Sequence, residues 1–365
     1  MHKEAGERRD FLPPLIAFLD RAGAEAIVLE DGYGSGMGLT ADAYLRASPK
    51  VRFGDYDECL SQDVVVVLRC PAEDALRKVR RGARVLSMFH YPTRPGRVQL
   101  LRELGVRGVS LDSLTDERGN RLVQNLEAVG WNGVRSCLRA LAAQYRRFED
   151  PGRRPIRVKI LGAGAVGGHA ARAATRYGDP TWRSELVARG VPGVEATVLD
   201  FDCTSRENDV LDLLERTDLL VDATARPDPS RYILPNPWLG ALPPHAVIVD
   251  LAVDPYDFTR DPPAVKGIEG VPEGNLDQYL YRPDDPVYER MDPRIDTTNR
   301  RTALSCYSWP GVYPRECMEV YGAQLEPVLQ VVLESPDLDA LDPIRGRPFE
   351  RVVARADVMR WTPAH

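Results

Sequence analysis

The sequence predicts an α/β protein with two domains, each built on a parallel sheet, and a cleft between them. Its 365 residues leave room for two ordinary domains. Short apolar runs alternate with helix-like segments before residue 132, which indicates one parallel sheet. A second alternation begins with a glycine-rich turn in residues 157–169, RVKILGAGAVGGH. Together these observations predict two Rossmann-like domains.

The first domain, residues 1–132, is predicted from short apolar runs that resemble buried strands. They lie at 26–30 (AIVLE), 64–68 (VVVVL), 85–89 (VLSMF) and 108–111 (GVSL), with helical segments at 13–22 and 94–104. A polar residue directly after such a strand lies at the edge where α/β proteins bind ligands. Arg69 and His90 occupy such positions.

The second domain, residues 133–310, is expected to begin with a connecting helix at 133–148. Its apolar residues Val134, Leu138, Leu141 and Ala142 follow a helical spacing. The polar segment 149–155, EDPGRRP, carries two prolines and predicts a linker.

The glycine-rich turn predicts a dinucleotide-binding site. Residues 158–161 (VKIL) form a short run that is apolar apart from Lys159, and Gly162, Gly164 and Gly167 complete the pattern G-x-G-x-x-G. Gly162 permits a tight turn, Gly164 lets the backbone approach a pyrophosphate, and Gly167 lets helix and strand pack closely. Ala165 and Val166 open the following helix, whose N-terminal N–H groups and dipole attract phosphates.

An acidic residue at the end of the next strand selects the nucleotide. In residues 194–202, VEATVLDFD, Asp200 is placed to accept hydrogen bonds from the adenosine ribose, which favours NAD over NADP. Asp202 is the alternative. Asp200 lies far beyond Gly167 compared with the usual interval of about 20 residues, so residues 177–193 are expected to form an additional helix or loop.

The remaining elements follow from shorter patterns. Two apolar runs predict later strands of the sheet that binds the nucleotide: residues 219–224 (LLVDAT) and 246–254 (AVIVDLAVD). The spacing of residues 316–333 predicts a helix. We expect residues 311–365 to pack back on the first domain. Residues 255–300 are rich in Pro, Asp and Arg and predict either a functional loop or an oligomer contact.

Composition excludes several classes of protein. A net charge of −6 disfavours nonspecific nucleic-acid binding. No apolar run reaches the length of a membrane span, and the first ten residues lack the apolar core of a signal peptide. The six cysteines are scattered without a C-x-x-C pair, which favours reduced thiols in the cytoplasm over disulfides or a metal site.

Several motifs, in this order, resemble the superfamily of alanine dehydrogenase, transhydrogenase and lysine-forming saccharopine dehydrogenase. They are KEAGERRDFLPP, VVVVLRCP, VLSMFHYP, TVLD and VIVDLAVD. Three segments look more like the saccharopine branch than like alanine dehydrogenase. They are LEDG at 29–32, LDSLTDERGNRLV at 111–123 and PRECMEVYGAQLEPVL at 314–329. The resemblance implies NAD as cofactor, an amino-acid or opine substrate and a homo-oligomer.

The resemblance also implies site residues. Lys3, Arg8 and Pro13 match a segment in which Lys and Arg precede a helix start, and His90 matches the catalytic histidine. Arg69 stands where the family has a catalytic lysine, and Asp254 matches an acid near the nicotinamide. The saccharopine enzymes' C-terminal Asp is replaced by Tyr307.

These residues predict a division of chemical roles. An imidazole exchanges protons near neutral pH, so His90 is the expected acid and base; the alternative is a strand-end histidine that only binds a loop. Arginine stays protonated, so Arg69 is expected to hold a substrate carboxylate, unless it pairs with Glu73 or Asp74. Arg8 and Lys3 are further carboxylate ligands, unless this segment is simply solvated.

Two further positions leave alternatives open. Asp254 is expected to orient ribose, amine or water, and Asp250 in the same run is its alternative. Tyr307 and Trp309 either line a pocket or belong to the core.

The predicted function is an NAD-dependent oxidoreductase acting on the CH–NH group of an amino acid or an opine-like secondary amine. One alternative is a redox-neutral cyclodeaminase in which tightly held NAD is regenerated in each cycle. The other is a non-catalytic dinucleotide-binding regulatory protein, for which the replacement at Arg69 is the main support.

Overall fold

The computed structural model describes residues 6–204, 206–226 and 228–362 of the chain. The chain divides into two compact units, Met1–Asn125 with Tyr313–His365, and Leu126–Val312. The predicted boundary after residue 132 falls inside the first helix of the second unit, because that helix begins at Leu126 rather than at 133.

The N-terminal part of the first unit alternates helices and parallel strands. Prolines begin its first and fifth helices, where a missing N–H has no cost. The elements are α1 (Pro13–Arg21), β1 (Ile27–Glu30), α2 (Ala41–Ala47), β2 (Val51–Gly54), α3 (Tyr56–Leu60), β3 (Val64–Arg69), α4 (Glu73–Leu76), β4 (Arg84–Met88), α5 (Pro95–Leu104) and β5 (Arg107–Ser110).

The described strands of this unit form two parallel sheets rather than the single sheet expected from the sequence. β1 pairs with β2, while β3, β4 and β5 form a second sheet in that order. β3 and β4 put their carboxyl ends, Arg69 and Met88, at the same edge. Arg69 and the segment that follows β4, with His90, are thereby presented at one edge of one sheet.

The second unit is built on a larger sheet. Its elements are α6 (Leu126–Gln144), β6 (Ile156–Leu161), α7 (Ala165–Thr175), α8 (Pro180–Ala188), β7 (Val194–Leu199), α9 (Glu207–Leu214), β8 (Leu219–Asp222), β9 (Val247–Asp250), β10 (Leu280–Tyr281) and β11 (Thr302–Ser305). The strand order is β10-β11-β9-β8-β6-β7, parallel except for β10.

This order places a switch point at β6. The chain goes from β6 to β7 on one side and then crosses to β8 on the other, so the crevice above β6 is where such sheets bind ligands. The fully buried strands β8 and β9 explain the continuous apolar runs read from the sequence. Helix α8 occupies the long interval between Gly167 and Asp200. Within the segment 255–300, the short strand β10 pairs with β11.

The C-terminal residues return to the first unit as α10 (Pro314–Glu334) and α11 (Pro348–Ala356). Leu325, Val328 and Leu329 of α10 are fully buried in a core shared with Leu15 of α1. Arg315 Nε donates to the Met37 carbonyl at 2.7 Å, which ties the start of α10 to the loop after β1. In the described part of the chain, no helix is long and apolar enough to cross a membrane.

Candidate active site

The glycine-rich turn after β6 has the geometry that each glycine predicts. Gly162 has φ +100°, and a Cβ there would lie 2.5 Å from the Ala223 carbonyl oxygen. A Cβ at Gly167 would lie 1.9 Å from the Gly162 oxygen, so α7 packs on the turn only because residue 167 has no side chain. A Cβ at Gly164 would meet nothing within 4 Å. The turn therefore leaves open space at Gly164, where a diphosphate needs to approach.

Helix α7 begins directly after Gly164, which is its N-cap. Ala165 and Val166 form the first turn, and the first four N–H groups of a helix have no partner within the helix. Apart from His169 and Arg172, α7 is made of small and neutral side chains, and Ala165 at its first position is exposed. The residues present fit a dinucleotide phosphate group.

Asp200 lies beside this turn. The Gly162 N–H donates to the Leu199 carbonyl at 2.8 Å, which fixes the end of β7 against the turn, and Asp200 is the next residue. The Asp200 side chain is exposed. Its position matches that of an acid that binds a ribose, while the side chain of the alternative, Asp202, lies outside the described residues.

In the first unit, His90 is held by a buried carboxylate. The His90 N–H donates to Asp112 Oδ1 at 3.1 Å, and His90 Nδ1 lies 3.4 Å from Asp112 Oδ2. The Ser110 hydroxyl donates to the same Oδ1 at 2.7 Å. The His90 side chain is 46% exposed whereas that of Asp112 is 5% exposed. This arrangement orients the imidazole through Nδ1 and leaves Nε2 for an external partner.

The electrostatics of this pair follow from its hydrogen bonds. Burial by itself raises the pKa of the Asp112 carboxyl, but hydrogen bonds from His90 and Ser110 outweigh burial and bring that pKa to about 2. The carboxylate is thus charged throughout the neutral range. His90 also has φ +55°, a left-handed conformation that is unusual for a residue other than glycine. Asp112 was not singled out by the sequence, because its contact with His90 bridges two strands.

Arg69, the last residue of β3, lines a small cavity of about 90 Å³. Glu7 and Arg9 line the same cavity. Arg9 Nε donates to Glu7 Oε1 at 2.8 Å, and Arg9 Nη2 lies 2.5 Å from Glu7 Oε2. Burial raises the pKa of Glu7, but the hydrogen bonds and charge of Arg9, with a contribution from Arg69, lower it below its ordinary value. Asp10 and Glu30 also line this cavity, so two guanidinium groups and three carboxyl groups share it.

The N-terminal candidates occupy different environments. Lys3 lies outside the described residues, and Arg8 is exposed. The neighbouring Arg9, which the sequence reading passed over, is buried. Asp10 and Phe11 beside it are buried as well, so no alternation in the sequence singles out Arg9.

Asp254 and Asp250 have separate partners. Asp254 Oδ2 lies 2.7 Å from Nη2 of Arg226, whose side chain is 6% exposed. Asp250 is buried, with its Oδ2 2.6 Å from Lys266 Nζ and 3.0 Å from the Ser305 hydroxyl. Asp250 therefore links the ends of β9 and β11, while Asp254 is partly exposed in the loop that follows β9.

The two aromatic candidates, Tyr307 and Trp309, differ in how deeply they are buried. Trp309 is 1% exposed, and its Nε1 donates to the Asp250 carbonyl at 2.7 Å, so it belongs to the core. Tyr307 packs against the same core and is partly buried.

Asp222 at the end of β8 was not predicted from the sequence. It is 1% exposed and accepts from the Thr224 hydroxyl at 2.6 Å. Burial and the nearby Asp250 carboxylate raise the pKa of Asp222 above its ordinary range.

Comparisons with known proteins agree with this architecture. Residues 3–127 match the family model described as alanine dehydrogenase/PNT, N-terminal domain. The alanine dehydrogenase of Methanococcus maripaludis is 22% identical, over 94% of this chain and 93% of that protein. The alanine dehydrogenase of Bacillus subtilis is also 22% identical, over 62% of each chain.

Solved structures show the same fold. An L-alanine dehydrogenase superposes with a TM-score of 0.72 at 18% identity, covering 97% of this chain and 92% of that one. A transhydrogenase from Sinorhizobium meliloti gives a TM-score of 0.65 at 17% identity, covering 92% and 93%. The predicted α/β class with Rossmann-like domains is confirmed by this likeness.

Proposed function

We propose that the chain is a member of the alanine dehydrogenase and transhydrogenase superfamily and that it is an NAD-dependent oxidoreductase that acts on the CH–NH group of an amino acid or opine-like amine. The dehydrogenases of this family use NAD. The observation that carries the proposal for this chain is the turn at Gly162, Gly164 and Gly167, with Asp200 beside it.

The cofactor side of the proposal rests on the second unit. Backbone N–H groups at Gly164, Ala165 and Val166 bind the diphosphate, and Asp200 accepts hydrogen bonds from the adenosine ribose. A 2′-phosphate would bring negative charge to the Asp200 carboxylate, so NAD is preferred over NADP. When bound, the nicotinamide supplies a hydride acceptor for the substrate Cα–H.

Proton transfer is assigned to His90. Oxidation of an amine to an imine and its hydrolysis require protons to leave nitrogen and water. An imidazole held through Nδ1 by Asp112 has its Nε2 available to accept them. Asp112 remains charged, so it stabilises the imidazolium that forms without taking the proton itself.

Substrate carboxylates are assigned to arginines. Arg69 cannot exchange a proton near neutral pH, so the proposal gives it carboxylate binding instead of the acid–base role of a lysine. Lys3 and Arg8 are further proposed ligands. Arg9 shares the cavity with Arg69 and forms an ion pair with Glu7.

Asp254 remains a proposed active-site acid. Its ion pair with the buried Arg226 holds the carboxylate in one place, which suits a residue that orients a ribose, an amine or a water. A homo-oligomer in the cytoplasm completes the proposal.

Two classes of substrate are candidates: a small amino acid and an opine-like amine. The relatives are named alanine dehydrogenases, which favours a small amino acid such as L-alanine. The sequence motifs resembling the saccharopine branch, with several arginines near the N-terminal strands, favour an opine with more than one carboxylate. We propose the opine-like amine as the first substrate class and the small amino acid as the second.

A screen of NAD reduction at 340 nm tests activity and substrate together. The proposal expects turnover with at least one L-amino acid or N-(carboxyalkyl) amino acid, and release of one NADH for each product. Product without NADH release would support the redox-neutral cyclodeaminase. Absence of turnover across both substrate classes, with NAD bound, would support a regulatory protein instead.

A further inference from the structure

Arg97 lies in the first turn of α5, the helix that follows His90. It is partly buried, and its Nη1 donates to the Phe89 carbonyl at 2.9 Å. The next polar group along the backbone, the His90 N–H, donates to Asp112 Oδ1 at 3.1 Å. Arg97 and Asp112 therefore hold the two polar groups of one peptide unit, the one that joins Phe89 to His90.

The two side chains lie on opposite sides of that peptide unit. A trans peptide directs its C=O and its N–H to opposite sides, and among the described residues only the bond between Asp261 and Pro262 is cis. The Asp112 carboxylate is thus directed to His90 and does not pair with Arg97. The guanidinium group is fixed beside the histidine by a neutral carbonyl.

No carboxylate compensates the charge of Arg97. Among the residues that the structure describes, Arg97 forms no ion pair, and α5 has no acidic residue in its first turn. By contrast, Arg9 pairs with Glu7 and Arg107 pairs with Asp357. A partly buried cation that is held in place without a carboxylate is suited to binding an external anion.

Arg69 contributes a second positive charge near the same place. Burial raises the pKa of the Cys70 thiol to about 11, and the positive charges of Arg97 and Arg69 act in the opposite direction. Asp112, the carboxylate bound to His90, acts in the same direction as burial. Two cations and one anion therefore act on the Cys70 sulfur, so the surroundings of this sulfur favour anions.

The chemistry of an opine matches this arrangement. An opine has two carboxylates, one on each carbon that flanks the nitrogen, whereas a small amino acid has one carboxylate. The proposed function gives the first carboxylate to Arg69 and the proton of the nitrogen to His90. The bond from Nη1 of Arg97 to the backbone leaves the edge formed by Nε and Nη2, which is one of the two edges that bind a carboxylate through parallel N–H groups.

We propose that Arg97 binds the second carboxylate of an amine substrate and thereby selects dicarboxylic amines, opines first, over monocarboxylic amino acids. This assignment rests on the proposed function. Arg97 is then the specificity residue, while Arg69 binds the first carboxylate and His90 accepts the proton. An amino acid with its second carboxylate on the side chain offers Arg97 the same chemical group, and the experiment separates the two sources.

The test uses pairs of substrates in which the second carboxylate is replaced by an amide of the same shape. N-(carboxymethyl)-L-alanine is compared with N-(carbamoylmethyl)-L-alanine, and L-glutamate is compared with L-glutamine. The full chain is expected to prefer the acid at least about tenfold in kcat/KM for the first pair, because a hydrogen bond between two charged groups is lost in the amide. A preference confined to the second pair would support Arg97 with a side-chain carboxylate. No preference in either pair would overturn the proposal.

Variants of Arg97 assign that preference to its charge. Arg97→Gln keeps a donor for the Phe89 carbonyl and is expected to lower the preference for the acid to less than about twofold, whereas Arg97→Lys is expected to retain most of it. Arg102→Gln is the matched control, because Arg102 also lies on α5 and also donates to backbone carbonyls, those of Val358 and Trp361. A purely structural role of Arg97 would lower kcat/KM for acid and amide alike, and that result would overturn the proposal.

Alkylation of Cys70 tests the charge of Arg97 without turnover. Cys59 and Cys203 are replaced by Ser, and the other three cysteines are buried. The ratio of the rates with iodoacetate, an anion, and iodoacetamide, which is neutral, measures how strongly the surroundings of Cys70 attract anions. Arg97→Gln is expected to lower this ratio at least about threefold at low salt, and Arg102→Gln is expected to leave it unchanged.

The two measurements separate failure of this proposal from failure of the proposed function. If no amine is oxidised, the proposed function fails, and a lowered alkylation ratio still supports Arg97 as an anion-binding residue. An equal alkylation ratio in the full chain and in Arg97→Gln would overturn that role. Arg97→Met takes the place of Arg97→Gln if the latter lacks a cooperative thermal transition.

Discussion

Asp112 contacts His90 at two points, through the backbone N–H at 3.1 Å from Oδ1 and through Nδ1 at 3.4 Å from Oδ2. The two contacts fix both the left-handed backbone of His90 and the direction of its ring. A carboxylate in this position prepares an imidazole for proton transfer, as in hydrolases with an acid–histidine pair.

Replacement of His90 by Ala is expected to lower kcat at least about a hundredfold, because the group that accepts the substrate proton is lost. NADH affinity is expected to stay within about twofold. Steady-state kinetics with the best substrate of the screen and a fluorescence titration measure the two quantities. His245→Ala is the matched control, since His245 pairs with Asp218 in the second unit. Unchanged kcat in His90→Ala would remove His90 from the mechanism.

Replacement of Asp112 by Asn is expected to lower kcat about tenfold or more. The reason is that a neutral partner no longer favours the imidazolium. In a double-mutant cycle, Asp112→Asn is expected to cost little once His90 is Ala, because Asp112 acts through His90. Full additivity of the two losses would show that Asp112 has only a structural role.

Acid stability also depends on Asp112. The folded-state pKa of about 2 lies below the ordinary value of 3.8, so the carboxylate stabilises the fold above about pH 4. This contribution, on the order of 2 kcal/mol, is lost as pH falls from about 4 to about 2. Urea unfolding of the first unit between pH 5 and pH 2.5 is expected to show a shallower pH dependence in Asp112→Asn. Parallel curves for the two proteins would contradict the assignment.

Two glycines of the turn, Gly164 and Gly167, are expected to have different roles when replaced by Ala, one in NADH binding and one in stability. Gly164→Ala is expected to preserve the melting temperature within about 2 °C and to weaken NADH binding about tenfold or more, because its Cβ enters open space that the diphosphate needs. Gly167→Ala is expected to lower the melting temperature, because its Cβ would lie 1.9 Å from the Gly162 oxygen. Gly168→Ala, whose Cβ meets nothing within 4 Å, is the control. Loss of stability in Gly164→Ala would contradict this division.

The sequence predicts the nucleotide-binding turn well because the geometry of that turn depends on local backbone conformation. Gly162 needs a positive φ and Gly167 needs the absence of a side chain, and both requirements can be read from residue type alone. The long interval to Asp200 was also interpretable, and α8 fills it.

Short strands and non-local contacts could not be read in the same way. β2 (VRFG) and β11 (TALS) have four residues each, too few to establish a period. The partners Asp112 and Lys266 depend on which strands become neighbours. The division of the first unit into two sheets likewise follows from pairing between distant segments.

The most direct test of the central claim is a fluorescence titration of NADH and NADPH into the purified chain and into Asp200→Ala. The wild-type chain is expected to bind one NADH per chain with a Kd in the micromolar range and to bind NADPH at least about tenfold more weakly. Asp200→Ala is expected to lose most of that preference, because no carboxylate remains to repel the 2′-phosphate or to bind the ribose. Absence of NADH binding to the folded wild-type chain at millimolar concentration would contradict the account.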